Sequence, residues 1–187
     1  MISIRWHGRG GQGAKTAAHL MAVAFLKNGR YPLAFPEYGP ERTGAPITAY
    51  TRADSHPIRL RSAIQVPDLV VVLDPSLLGE VPVADGIPAG GWLIVNRPAG
   101  TAPAGFDGTL WNLAGDQIAR EAGARFANTV FIGALAGLIG EPDLTHLREA
   151  VDEVMGRLAR EVFAASWRAL EVGFGLGAER GVHRVIS

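Results

Sequence analysis

The stretch Ile2-Ser3-Ile4-Arg5-Trp6-His7-Gly8-Arg9-Gly10-Gly11-Gln12-Gly13-Ala14-Lys15 decides the fold. Ile2, Ile4 and Trp6 alternate with Ser3 and Arg5, which is the period of a strand. Beyond the glycines, Ala14, Ala17, Ala18, Met21, Ala22 and Phe25 recur at helical spacing, so a helix is expected over 14–27. Asn28-Gly29 closes it, because glycine takes the left-handed conformation of a helix C-terminus at no steric cost. Strand, glycine turn and helix in this order open an α/β unit.

Downstream, residues 33–35 suggest a short second strand and residues 47–52 alternate as a third. Leu69-Val70-Val71-Val72-Leu73 is uninterrupted and apolar, as in a buried parallel strand. It is expected to be central, between the first strand and Leu93-Ile94-Val95. Residues 109–111 are a weaker strand candidate, and 98–108 form a Pro/Gly/Ala-rich surface loop. Helices are expected over 116–122, 129–139 and 144–175, the last broken near Gly156. This alternation predicts one three-layer α/β domain over 1–187, with a mostly parallel (mixed) central sheet, a Rossmann-like start and a helical C-terminal part.

Composition narrows the function. A chain of 187 residues, 48% hydrophobic, fits a single domain with a real core. Lys plus Arg and Asp plus Glu balance at 18 each, so no net charge draws the chain toward nucleic acid or an anionic membrane. There is no cysteine, hence no thiolate for an iron–sulfur cluster or a zinc ion. The five histidines show no ligand spacing, and no metal site is expected. No basic-then-apolar leader opens the sequence, and no apolar stretch reaches the ~18 residues of a membrane span, so a cytoplasmic location is expected. No Gly-x-Ser-x-Gly elbow and no phosphate-loop lysine motif occur, and no residue is assigned a catalytic role.

Gly8-x-Gly10-x-x-Gly13 matches the dinucleotide fingerprint and sits correctly between strand and helix. Glycines let backbone amides approach an anion, and the helix N-terminus adds partial positive charge. Arg9 and Lys15 add formal charge. The acid that nicotinamide cofactors require has one candidate, Glu37, inside a proline-bounded loop. An NAD(P)-binding oxidoreductase, another anionic ligand and a turn needing glycine for geometry alone all stay open. That loop, Pro36-Glu37-Tyr38-Gly39-Pro40-Glu41-Arg42-Thr43-Gly44-Ala45-Pro46, holds charges and a tyrosine on a frame stiffened by three prolines. Such a frame loses little entropy on docking; a solvated connection is the alternative.

His7 to Gly13, Pro36 to Pro46, the run Pro67-Asp68-Leu69-Val70-Val71-Val72-Leu73-Asp74-Pro75-Ser76-Leu77-Leu78 and Gly91-Trp92-Leu93-Ile94-Val95-Asn96 resemble, in that order, the gamma subunit of the 2-oxoacid:acceptor (pyruvate:ferredoxin, 2-ketoisovalerate) oxidoreductases. Asn128 and Gly133-Ala134-Leu135-Ala136 are similar to the family's later helix, whereas Thr43 and Ser166 depart from its pattern. The resemblance implies a multi-subunit enzyme that oxidatively decarboxylates a 2-oxoacid with thiamine diphosphate, usually to an acyl-CoA. It implies electron transfer through iron–sulfur clusters to ferredoxin or a similar acceptor. Thiamine diphosphate and the clusters are then expected in partner subunits. The family's thiamine site begins Gly-Asp-Gly and continues to an Asn-Asn pair, whereas here Gly115-Asp116 is followed by Gln117 and no Asn-Asn occurs. For this chain the resemblance implies coenzyme A contact and a role in assembly; a purely structural assembly subunit is the alternative.

The candidate ligand-contacting residues are Gly8, Arg9, Gly10, Gly11, Gln12, Gly13, Lys15, Glu37, Tyr38, Arg42, Asp74 and Asn96. Asp74 precedes Pro75 and suits a helix N-cap. In a parallel sheet Gly8, Glu37, Asp74 and Asn96 would share one edge, where α/β ligand sites form. Trp167 and Leu170, among Val162, Phe163, Val172 and Phe174, read as core, with a subunit-docking face as the alternative.

Overall fold

The computed structural model describes residues 1–37, 44–157 and 159–181. Among these, the chain runs β1 (Ile2–Arg9), α1 (Ala14–Lys27), β2 (Tyr31–Pro36), β3 (Pro46–Asp54), β4 (Leu69–Val72), a 3-10 turn (Pro75–Gly79), β5 (Trp92–Asn96), β6 (Thr109–Leu113), α2 (Gly115–Glu121), α3 (Asn128–Ile139), α4 (Leu144–Met155) and α5 (Arg160–Arg180). The strands form one mixed sheet in the order β2-β3-β1-β4-β5-β6. β1, β4, β5 and β6 are mutually parallel, and β3 is antiparallel to both β1 and β2. β2 therefore points the same way as β1. The expected central position of Val70-Val71-Val72 is met, and all three are fully buried.

Alternation sorts the two sheet faces. Ile4, Trp6, Val71 and Ile94 face a layer of α-helices with Met21, Phe25, Phe131, Leu135 and Leu170 in its core. Val70, Val72, Leu93 and Val95 face Leu77, Val81, Val83 and Ile87, so the third layer is coil with a 3-10 turn rather than α-helix. Pro75, Pro82 and Pro88 explain this, because each removes an amide donor from the β4–β5 connection. The polar members of β1 and β3 on this face pin the coil down. The Arg5 guanidinium donates to the carbonyls of Ile64, Val83 and Asp85, and that of Arg52 to those of Leu60, Ser62 and Ala63.

The expected helix break near Gly156 separates α4 from α5, which continues through Gly175 to Arg180. Its continuation follows from packing. A Cβ at Gly173 would lie 2.1 Å from the Val130 carbonyl oxygen, so α5 crosses α3 backbone to backbone. Leu170 is fully buried in this layer, and Trp167 packs partly buried against it, under the Arg148 guanidinium at 4.9 Å. No helix among the described residues is long and apolar enough to cross a membrane.

Candidate functional site at the carboxyl edge of the sheet

β1, β2, β4 and β5 end at one edge, and this brings Gly8, Glu37, Asp74 and Asn96 to it as expected. The glycine loop turns there from β1 into α1. Gly11 (φ 97°) and Gly13 (φ 85°) are left-handed, a conformation that side chains resist. Gly13 is also closely approached, since a Cβ on it would meet Asn128 Nδ2 at 2.5 Å. Asn128 opens α3, so the N-termini of α1 and α3 meet at Gly13. Neither carries a side-chain cap on its N-cap residue. The first α1 amide bonded back into the helix is that of Ala17, to the Gly13 carbonyl at 2.8 Å. A helix N-terminus carries partial positive charge, and two such ends at one place add. Lys15 lies in the first turn of α1.

Side chains brace the loop from beneath. Gln12 Oε1 accepts from the Arg9 backbone amide at 2.7 Å, and Gln12 Nε2 donates to Asp74 Oδ2 at 2.8 Å. The Arg9 guanidinium reaches Ser76 Oγ at 2.6 Å, Asp74 Oδ2 at 3.3 Å, the Gly44 carbonyl at 3.1 Å and the Glu80 carboxylate. Arg9 is thus engaged by neighbouring side chains and backbone rather than held out as a lone cation. Glu80 raises its pKa, mainly through their hydrogen bond. Asp74 N-caps the 3-10 turn as expected, accepting from the Ser76 amide at 3.0 Å. Burial opposes its ionisation, but hydrogen bonds from Ser76 and Gln12 and the charge of Arg9 outweigh burial and hold its carboxyl below the usual range. Asn96 is a buried clasp: Nδ2 donates to the Leu73 carbonyl at 2.9 Å and Oδ1 accepts from the Asp116 amide at 3.1 Å. Gly10 is tied to the foot of the proline-rich loop, donating to the Ala45 carbonyl at 2.9 Å.

Glu37 follows β2 directly, since that strand is longer than the expected 33–35. Its carboxylate accepts the Tyr50 hydroxyl at 2.7 Å; burial, then this bond, raises the tyrosine pKa. β3 lies between β1 and β2, which displaces Glu37 sideways from the glycine loop by two strand spacings, about 10 Å. Tyr38 and Arg42 lie outside the described residues.

Sequence reasoning did not single out His7, Ser76, Glu80 and Asn128 as site residues. His7 is buried beside Thr48, Nδ1 to Oγ1 being 3.5 Å, and its Nε2 has no hydrogen-bond partner among the described residues. Burial, then the Arg5 charge, lowers its pKa to about 4. Its adjacency to the fingerprint was the available signal. Glu80 and Asn128 reach the loop across the fold, and local sequence carries no sign of that.

The chain matches the family model described as pyruvate ferredoxin/flavodoxin oxidoreductase over residues 3–176. It is 46% identical over 159 residues to the pyruvate/ketoisovalerate oxidoreductases common subunit gamma of Thermococcus kodakarensis, covering 82% of this chain and 86% of that one. It is 40% identical over 179 residues to the pyruvate synthase subunit PorC of Thermotoga maritima, covering 92% and 93%. The crystal structure of the pyruvate oxidoreductase subunit PORC from Thermotoga maritima superposes with a TM-score of 0.79 at 36% identity, over 93% of this chain and 95% of that chain. A 2-oxoglutarate:ferredoxin oxidoreductase from Magnetococcus marinus shares the fold at a TM-score of 0.79 and 22% identity, over 95% of this chain and 31% of that longer one. Together with the position of β3 between β1 and β2, which separates Glu37 from the glycine loop, these likenesses set the nicotinamide alternative aside. The chain belongs to the pyruvate ferredoxin/flavodoxin oxidoreductase family and is a subunit of the gamma type.

Proposed function

We propose that, in a complex that oxidatively decarboxylates a 2-oxoacid, this chain helps to hold a phosphate-bearing part of coenzyme A and to join the subunits. The observation that carries the ligand reading is the convergence of two helix N-termini at Gly13, two residues after Gly11, where an added Cβ would meet nothing within 4 Å. Thiamine diphosphate and the iron–sulfur clusters that pass electrons to ferredoxin or a similar acceptor belong to partner subunits. The absence of cysteine from this chain agrees with that division.

Gly11→Ala tests the ligand role. Gly11 is left-handed, and a Cβ there meets nothing within 4 Å, so the substitution strains the loop without disturbing the core. In the reconstituted complex the expected result is a raised KM for coenzyme A with the oxoacid KM unchanged. Equal change in both constants, or poor assembly with normal coenzyme A dependence in what does assemble, would identify the loop as structural.

A further inference from the structure

We propose that Glu80, acting through Arg9, is a positioning residue for the anion at the glycine loop; this rests on the ligand reading above. Two carboxylates, Asp74 and Glu80, stand at an edge that offers positive helix ends to an anion. By Coulomb's law alone each would repel that ligand. Their bonding shows a different use. Glu80 holds the Arg9 guanidinium, which Ser76 Oγ also holds at 2.6 Å, and the same guanidinium donates to the Gly44 carbonyl at 3.1 Å. From the other side, Asp74 accepts Gln12 Nε2 at 2.8 Å, and Gln12 Oε1 accepts the Arg9 backbone amide at 2.7 Å. Main chain and side chain of Arg9 are therefore both fixed to the 3-10 turn after β4. The loop between Arg9 and Ala14 has glycine at three of its four positions, so its own side chains supply little to hold a shape. The brace supplies that shape before the ligand arrives, which lowers the ordering cost of binding.

The sign of the effect of removing Glu80 separates positioning from simple electrostatics. Its side chain is 48% exposed, so truncation spares the core. In the reconstituted complex, Glu80→Ala is expected to raise the KM for coenzyme A about threefold to tenfold, the net scale of one ordinary hydrogen bond, with kcat and the oxoacid KM unchanged. Glu80→Gln, which keeps a neutral acceptor for Arg9, should give a smaller rise. A fall in the KM for coenzyme A would show that the carboxylate only repels the ligand, and the proposal would be wrong. No change in Glu80→Ala alongside a selective rise in Gly11→Ala would also overturn it while sparing the ligand reading. No selective rise in either variant would remove both.

Discussion

Gly137 of α3 lies so close to Phe174 of α5 that a Cβ added to it would sit 2.2 Å from the Phe174 carbonyl oxygen. Gly133 meets the Leu170 carbonyl at 2.0 Å in the same way, and Gly173 and Gly177 return the contact from α5 to Val130 and Ala134 at 2.1 Å each. The obstructing atoms are backbone, which cannot rotate away. Gly137→Ala gains the helix propensity of alanine, about 1 kcal/mol, but forces the helices apart along this seam. Because backbone cannot yield, the overpacking cost is expected at about 3 kcal/mol, which leaves a net loss of about 2 kcal/mol in urea unfolding of the purified chain. A stability equal to that of the parent would mean that the crossing is looser than described.

Arg5 makes a second stability prediction. Its guanidinium is buried with carbonyl oxygens as its hydrogen-bond partners among the described residues, and burial lowers its pKa. Arg5→Met removes a costly buried charge but frees the carbonyls of Ile64, Val83 and Asp85, which regain partners only if the coil layer opens to water. The expected signature is faster proteolysis within 81–87, where Val83 and Asp85 lose their donor, with a loss of about 1–3 kcal/mol in global stability. Unchanged cleavage there would show that the coil layer is held by its apolar contacts instead.

What the sequence disclosed and what it withheld divides along the range of the interactions. The period of Ile2, Ile4 and Trp6 and the run Val70-Val71-Val72 are local signals of burial, and each marks its strand correctly. Asp74 before Pro75 is equally local, and the cap is present. The antiparallel insertion of β3 is not local: it depends on Arg5 pairing with Tyr50, and no pattern near either residue encodes that choice. Glycines within α3 and α5 read in isolation as weak helix formers, and their value emerges only when the helices cross. Arg9 reads as a phosphate ligand because its fingerprint context is visible, whereas Glu80, 71 residues away, is not.

Activity should require the partner subunits. The chain has no cysteine to hold a cluster and lacks the Gly-Asp-Gly and Asn-Asn elements of the family's thiamine subunits. The purified chain with thiamine diphosphate, coenzyme A and any 2-oxoacid is expected to leave a viologen dye oxidised. Reduction of the dye above the level without oxoacid would overturn the division of labour.

His7 should make folding stability fall in mild acid. Burial, followed by the Arg5 charge, lowers its pKa to about 4 in the folded chain, against about 6.5 for an exposed histidine. The unfolded chain therefore binds a proton near pH 6.5 that the folded chain refuses until about pH 4. Stability from keeping this ring neutral is fully present above pH 6.5 and is lost progressively as pH falls toward 4, a loss of up to about 3 kcal/mol. Substituting His7→Gln keeps a neutral polar group beside Thr48 and removes the titration. Urea unfolding of parent and variant at pH 7.5, 6, 5 and 4.5 isolates the effect from other titrating groups. The expected result is a parent curve that drops more steeply than the variant's below pH 6.5, with the two differing least in slope above it. Parallel curves across the whole range would mean that the His7 ring is protonated in the folded chain as readily as in the unfolded one.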